Sequence, residues 1–192
     1  MSSPLPLLIV GAGPFGLAMA RYARVHGIPH LTLGRPMSFW REHMPAGMYL
    51  RSGTSWHLDP ADELTFEAWS RARGIDPGDL RPLSLERYLD YAEWYRTEAG
   101  VEVDGARVTS LEPAAGSGGP LRARLDDGRR LEARNVYLAT GFAPFVHEPA
   151  ALTSIIPAER RMHTAYLADL GVLRGERLLV VGGRQSAFET AA

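Results

Sequence analysis

The chain has 192 residues, 45% of them hydrophobic and 22% charged, which suits one globular domain or one and a small part. A net charge of −1 and a pI near 6.6 leave no basic excess for nucleic acid or an anionic membrane surface. Cysteine is absent, which excludes disulfides, thiolate metal sites, iron–sulfur clusters and a cysteine nucleophile in this chain.

No apolar run approaches the roughly 20 residues that span a bilayer. No basic segment followed by an apolar stretch marks a secretion signal. The expectation is a cytoplasmic protein with a small-molecule substrate and neither a nucleic-acid nor a membrane partner.

Leu7-Leu8-Ile9-Val10 reads as a strand buried on both faces, as in a parallel sheet. Gly11-Ala12-Gly13-Pro14-Phe15-Gly16 follows without a gap. Residues 17–25 read as a helix ending near Gly27, and residues 28–33 as a second short strand. This is the strand–glycine turn–helix–strand context that a dinucleotide fingerprint requires. Gly11 permits the tight turn, Gly13 lets the backbone approach a pyrophosphate, and Gly16 lets helix and strand pack closely. Pro14 and Phe15 complete the turn. The helix start offers free amides and a partial positive charge to the phosphates.

An acidic residue that bonds the ribose is expected about 20 residues on. Gly34 stands there instead, followed by Arg35. Two readings stay open. Backbone or water holds the ribose, or Arg35 meets a 2′-phosphate and makes this an NADP site.

Residues 37–100 form a long excursion with Phe39-Trp40, Met48-Tyr49-Leu50-Arg51-Ser52 and Trp56-His57-Leu58-Asp59-Pro60. Such excursions are often functional, and Trp40 and Arg51 are candidates to line a flavin. A short helix is expected over 65–73, ended by Gly74. An amphipathic helix is expected over 84–98, with Leu85, Tyr88, Leu89, Tyr91, Ala92 and Tyr95 on its core side.

Residues 101–103 and 107–111 read as strands, and 114–120 as a flexible turn. Residues 121–125 alternate apolar and polar, Asp126-Asp127-Gly128 is a hairpin signal, and 130–133 is the return strand. A small antiparallel meander, about 105–135, is thus inserted in the first unit. A separate apolar strand over 135–142 breaks into Thr140-Gly141. Residues 177–181 read as another buried strand, followed by Gly182-Gly183-Arg184-Gln185-Ser186-Ala187 and a helix start. Arg184 takes the middle glycine position of this second turn. Its side chain obstructs backbone approach to a pyrophosphate, yet its guanidinium is itself a phosphate ligand.

The predicted class is α/β: a Rossmann-like FAD-binding domain with a parallel sheet and a small antiparallel meander, plus the start of a second Rossmann unit. The first domain is expected over 1–150. Residues 151–192 are expected to be a linker and an incomplete NAD(P)-binding start.

Taken in order, Gly11-Ala12-Gly13-Pro14-Phe15-Gly16-Leu17-Ala18, Phe39-Trp40, Ala139-Thr140-Gly141-Phe142, Met162-His163-Thr164-Ala165-Tyr166 and Val180-Val181-Gly182-Gly183-Arg184-Gln185-Ser186-Ala187 resemble the two-dinucleotide-domain flavoproteins. Among those, they are most similar to the flavin monooxygenases with separate FAD and NADPH sites. The resemblance spans nearly the whole chain and is patchy over 41–135. The monooxygenases' Phe–Gly–His signature is not met: Pro157 and Glu159 occupy its first two places.

The resemblance implies that Gly11, Gly13 and Gly16 hold the FAD pyrophosphate, that Trp40 lies near the flavin, and that the strand around Val108 contacts adenine through its backbone. It implies that Thr140-Gly141 marks the crossing between domains. Gly182, Gly183, Gln185 and Ser186 would cradle NADPH. NADPH would then reduce FAD, and the flavin would pass one oxygen atom to the substrate, the protein orienting both and excluding water. The helix begun near residue 188 stops within its first turns. The chain is therefore expected to be an N-terminal fragment, or a shortened gene product, of a protein about twice as long, binding FAD weakly and inactive alone. The alternatives are a flavin-dependent NAD(P)H reductase, whose disulfide branch the missing cysteines disfavour, and a catalytically inactive nucleotide-binding module.

Overall fold

A computed structural model describes residues 3–114 and 118–191. Strands β1 (Leu5–Val10), β2 (His30–Leu33) and β7 (Arg130–Leu138) form the parallel part of a five-stranded sheet. Their order is β2-β1-β7, and β6 (Leu121–Leu125) and β5 (Val108–Pro113) extend it antiparallel beyond β7. Leu8 and Ile9 point to opposite faces of β1 and are both fully buried, so the expected two-sided burial is present.

Helix α1 (Pro14–Val25) follows β1 through the glycine turn and buries Gly16, Leu17, Ala20 and Ala23 at helical spacing. Helix α2 (Ser38–Glu42) is short, and β3 (Tyr49–Leu50) pairs antiparallel with β4 (Leu83–Ser84). Helix α3 (Phe66–Arg73) starts where Thr65 accepts the Ala68 amide and ends at Gly74, which takes φ +66°. Helix α4 (Leu85–Glu98) starts where Ser84 accepts the Arg87 amide.

One core joins α1, α3 and α4 to Leu7 and Ile9; the other joins Leu8 and Leu33 to Ala123, Leu125 and Ala133. Tyr91 is the hub of the first. Its ring stacks on Phe66 with centroids 3.8 Å apart. Its hydroxyl accepts the Leu58 amide (2.9 Å) and donates to the Leu64 carbonyl (2.8 Å). Between those two residues lies buried Asp59, which accepts the amides of Leu64, Glu63 and Ala61 and sits 3.5 Å from Arg21. Burial pushes the Asp59 pKa up, but these amides and Arg21 outweigh it and hold the carboxyl below its usual range.

Four expectations are corrected. Residues 101–103 form no strand; Asp104 makes a single parallel bridge to Leu33, while Val101 and Val103 pack into the first core. The expected strands over 130–133 and 135–142 are one strand, β7, ending at Leu138. Its first half pairs with β6 and its second half with β1, so one strand serves both meander and parallel sheet. The strand expected over 107–111 starts one residue later and runs to Pro113. Residues 177–181 form no buried strand, and Leu179 is 87% exposed. No neighbouring strand among the described residues takes their backbone groups, so an apolar run alone does not make a strand.

The hairpin at Asp126-Asp127-Gly128 is present, with Gly128 at φ +88°. Of the turn expected over 114–120, residues 115–117 lie outside the described residues. Helix α5 (Ala150–Thr153) and several single 3-10 turns lead to α6 (Gln185–Ala191). Among the described residues, no helix is long and apolar enough to cross a membrane.

Candidate functional site

The carboxyl ends of β1, β2 and β7 meet at one place. The Gly11 amide donates to Leu33 (2.8 Å), and the Ala139 amide donates to Val10 (2.7 Å). The Met37 amide donates to Ala12 (3.0 Å) and the Gly34 amide to Asp104 (2.9 Å). The structure therefore brings Gly11, Gly13, Gly16, Gly34, Thr140 and Gly141 together at the edge where open α/β sheets bind ligands.

Each glycine of the first turn has a distinct reason to lack a side chain. Gly11 adopts φ +110°, and a Cβ there would lie 2.2 Å from the Ala139 carbonyl oxygen. A Cβ on Gly16 would lie 1.8 Å from the carbonyl oxygen of Gly11. Gly13 is different: at φ −78° it needs no glycine for strain, and a Cβ there meets nothing within 4 Å. Gly13 is also the N-cap of α1, and no side chain caps that helix. Pro14 at the first helical position has no amide, so Phe15 and Gly16 present the first-turn amides, with the Phe15 ring 74% exposed beside them. An open cradle over uncapped amides is what a pyrophosphate requires, and these residues fit one.

Gly34 cannot be replaced by an acid cheaply. It adopts φ +132°, and a Cβ would lie 3.2 Å from the Ala12 amide nitrogen. Arg35 is 67% exposed and holds Glu42 through two hydrogen bonds of 2.6 and 2.9 Å. At the end of β2, Asp104 bridges Leu33 and is tied to Arg129 at 2.7 and 3.0 Å beside the hairpin. The Arg129 guanidinium and the Ala106 amide hold the Asp104 carboxyl below its usual range. From Asp104 the chain runs into Val108, half-buried at the start of β5.

A second feature is a cavity of about 980 Å³ between α2, the segment 44–53, residues 80–83, residues 163–170 and α6. Arg51 and Ser186 line it, so two sequence candidates 135 positions apart share this space. Arg51 lies 3.3 Å from Glu189 of α6. Trp40 instead packs edge-on against Tyr88, with centroids 4.8 Å apart; its neighbour Phe39 lines the cavity. Gly182 takes φ +155°, and the Arg184 carbonyl accepts the Ala187 amide as α6 begins. Gln185 bonds Glu189 at 2.9 Å.

Sequence reading missed His43. It lines the cavity, and its Nδ1 donates to the Ala165 carbonyl at 2.8 Å. Its place one helical turn after Phe39 was visible in the sequence. Its partner, 122 residues away, was not.

A family model for pyridine nucleotide-disulphide oxidoreductases matches residues 8–192. The chain belongs to that family. It is 31% identical to a FAD-dependent urate hydroxylase of Xanthomonas campestris over 96% of this chain and 41% of that protein. It is 30% identical to the indole-3-pyruvate monooxygenase YUCCA1 of Oryza sativa over 96% of this chain and 43% of the other. The chain thus spans less than half the length of these curated relatives. A double mutant of a flavin monooxygenase from Stenotrophomonas maltophilia superposes with a TM-score of 0.76 at 22% identity, over 98% of this chain and 53% of that one. The fold is that of the flavin monooxygenases' Rossmann-type domain.

Proposed function

We propose that this chain is the FAD-binding portion, with the beginning of the NAD(P)H-binding portion, of a flavin-dependent oxidoreductase of the monooxygenase type acting on a small molecule. The observation that carries this reading is the first glycine turn, closed at Gly11 and Gly16 and open at Gly13 above uncapped amides. FAD, when bound, supplies the redox chemistry. In this reading the Phe15 and Gly16 amides hold the pyrophosphate, and Gly13 gives it room. Residues 1–150 form the FAD unit. Residues 151–192, with Gly182, Gly183, Arg184, Gln185 and Ser186, are the linker and the beginning of the pyridine-nucleotide unit. The Gly182 turn and the family's description support that assignment. The cavity lined by Arg51 of the first unit and Ser186 of the second supports a meeting place for flavin and nicotinamide there.

The test is anaerobic addition of NADPH to the FAD-loaded full-length protein. Bleaching of the flavin spectrum supports an NAD(P)H-dependent flavoenzyme. Bound flavin that NADPH leaves oxidised favours a nucleotide-binding module, in keeping with Arg184 at the middle glycine position. In the full-length protein, an oxygenated product separates a monooxygenase from a reductase.

A further inference from the structure

One residue, Ala165, sets the proton position on two histidines of the same cavity through its amide and its carbonyl. The Ala165 carbonyl accepts from His43 Nδ1 at 2.8 Å, so His43 carries a proton on Nδ1. The Ala165 amide donates to His163 Nδ1 at 3.1 Å, so that nitrogen is bare and a neutral His163 carries its proton on Nε2. Neutral His43 therefore offers Nε2 as an acceptor, and His163 offers Nε2–H as a donor. Both rings are part-buried, both line the cavity, and neither Nε2 has a hydrogen bond among the described residues. Phe39 stacks on His43 with centroids 5.3 Å apart, which holds the ring in place. Apolar walls such as Leu83 and Leu167 suit a flat ring, and a part-buried donor or acceptor left unmatched there costs binding.

We propose that this cavity recognises a planar heterocycle bearing an N–H donor beside a carbonyl acceptor, with His43 accepting from the N–H and His163 donating to the carbonyl. The proposal deepens the functional reading above and rests on it for the cavity being a ligand site. Two ligands carry this edge: the imide of a flavin ring and a lactam-type substrate.

Calorimetric titration of the full chain with uric acid and with tetramethyluric acid tests the chemistry, because the second keeps the ring and carbonyls but has no N–H. Uric acid is expected to bind about tenfold more tightly, the worth of one matched hydrogen bond. His43→Phe is expected to weaken uric acid by a similar factor and to leave the methylated probe little changed, whereas His163→Phe, which removes the donor to a carbonyl both probes keep, is expected to weaken both. Lumiflavin against its imide-methylated derivative repeats the test for the flavin source. If saturating FAD expels uric acid, the flavin imide is the edge that is read; if uric acid binds the FAD-loaded chain, a substrate is. Equal affinities within both probe pairs, or no binding of any probe, overturns the proposal without involving a variant. A chain that retains FAD yet treats the paired probes alike loses only this proposal. One that discriminates the uric acids yet takes up no FAD loses the functional reading instead.

Discussion

The carbonyl oxygen of Gly11 lies where a Cβ on Gly16 would come within 1.8 Å of it. The two ends of the glycine turn are therefore closed against each other, while Gly13 between them faces open space. Fold and function separate along that line, and substitutions should report them separately.

Gly16→Ala places a methyl group against backbone that cannot retreat. It is expected to cost about 2–4 kcal/mol of stability. Gly13→Ala keeps an allowed φ and meets no atom, so it should cost about 1 kcal/mol or less. Urea midpoints of the two variants without cofactor check the contrast. Equal losses would mean that the turn is not divided in this way.

Gly34→Asp restores the acid that dinucleotide folds usually carry. The position's φ of +132° and the nearby Ala12 amide make the change unfavourable, by about 1–3 kcal/mol. Tighter FAD retention is not expected. A melting curve and a flavin titration of this variant measure both terms.

Asp59 gives stability a defined acid limb. Its folded pKa is lowered, so its contribution is complete above the unfolded value of about 3.9 and is lost as pH falls through the folded value. Asp59→Asn leaves amide donors and Arg21 poorly matched and should cost about 2–4 kcal/mol at neutral pH. Urea melts from about pH 6 down to about pH 2.5 should show a flatter profile in the variant.

Tyr91→Phe removes the hydroxyl that joins Leu58 to Leu64. Leaving a buried amide and a carbonyl unpaired should cost about 1–3 kcal/mol. The same variant keeps the Phe66 stack, so a larger loss in Tyr91→Ala isolates the aromatic packing.

Much of this was legible in the sequence where the signal is local. The turn at Gly11, the cap at Thr65, the stop at Gly74 and the hairpin at Gly128 each follow from one or two residues. The helix over Leu85–Glu98 followed from its apolar spacing. What was not legible depends on partners distant in sequence. Leu178, Leu179 and Val181 have the composition of a strand, but strand formation needs a neighbour, and none is present among the described residues. The bond from His43 to Ala165 spans 122 positions, and the space shared by Arg51 and Ser186 depends on the same tertiary approach. Gly34 was visible as a missing acid. Its reason, a positive φ beside Ala12, was visible only in three dimensions.

The central claim is that the open cradle at Gly13 holds FAD, and the visible spectrum of the chain after incubation with FAD and removal of free cofactor tests it most directly. Flavin bands that persist in the natural chain and vanish in a folded Gly13→Glu variant are the expected result. A folded natural chain that leaves the FAD spectrum unperturbed even before free cofactor is removed, or a Gly13→Glu variant that keeps its flavin, would contradict it.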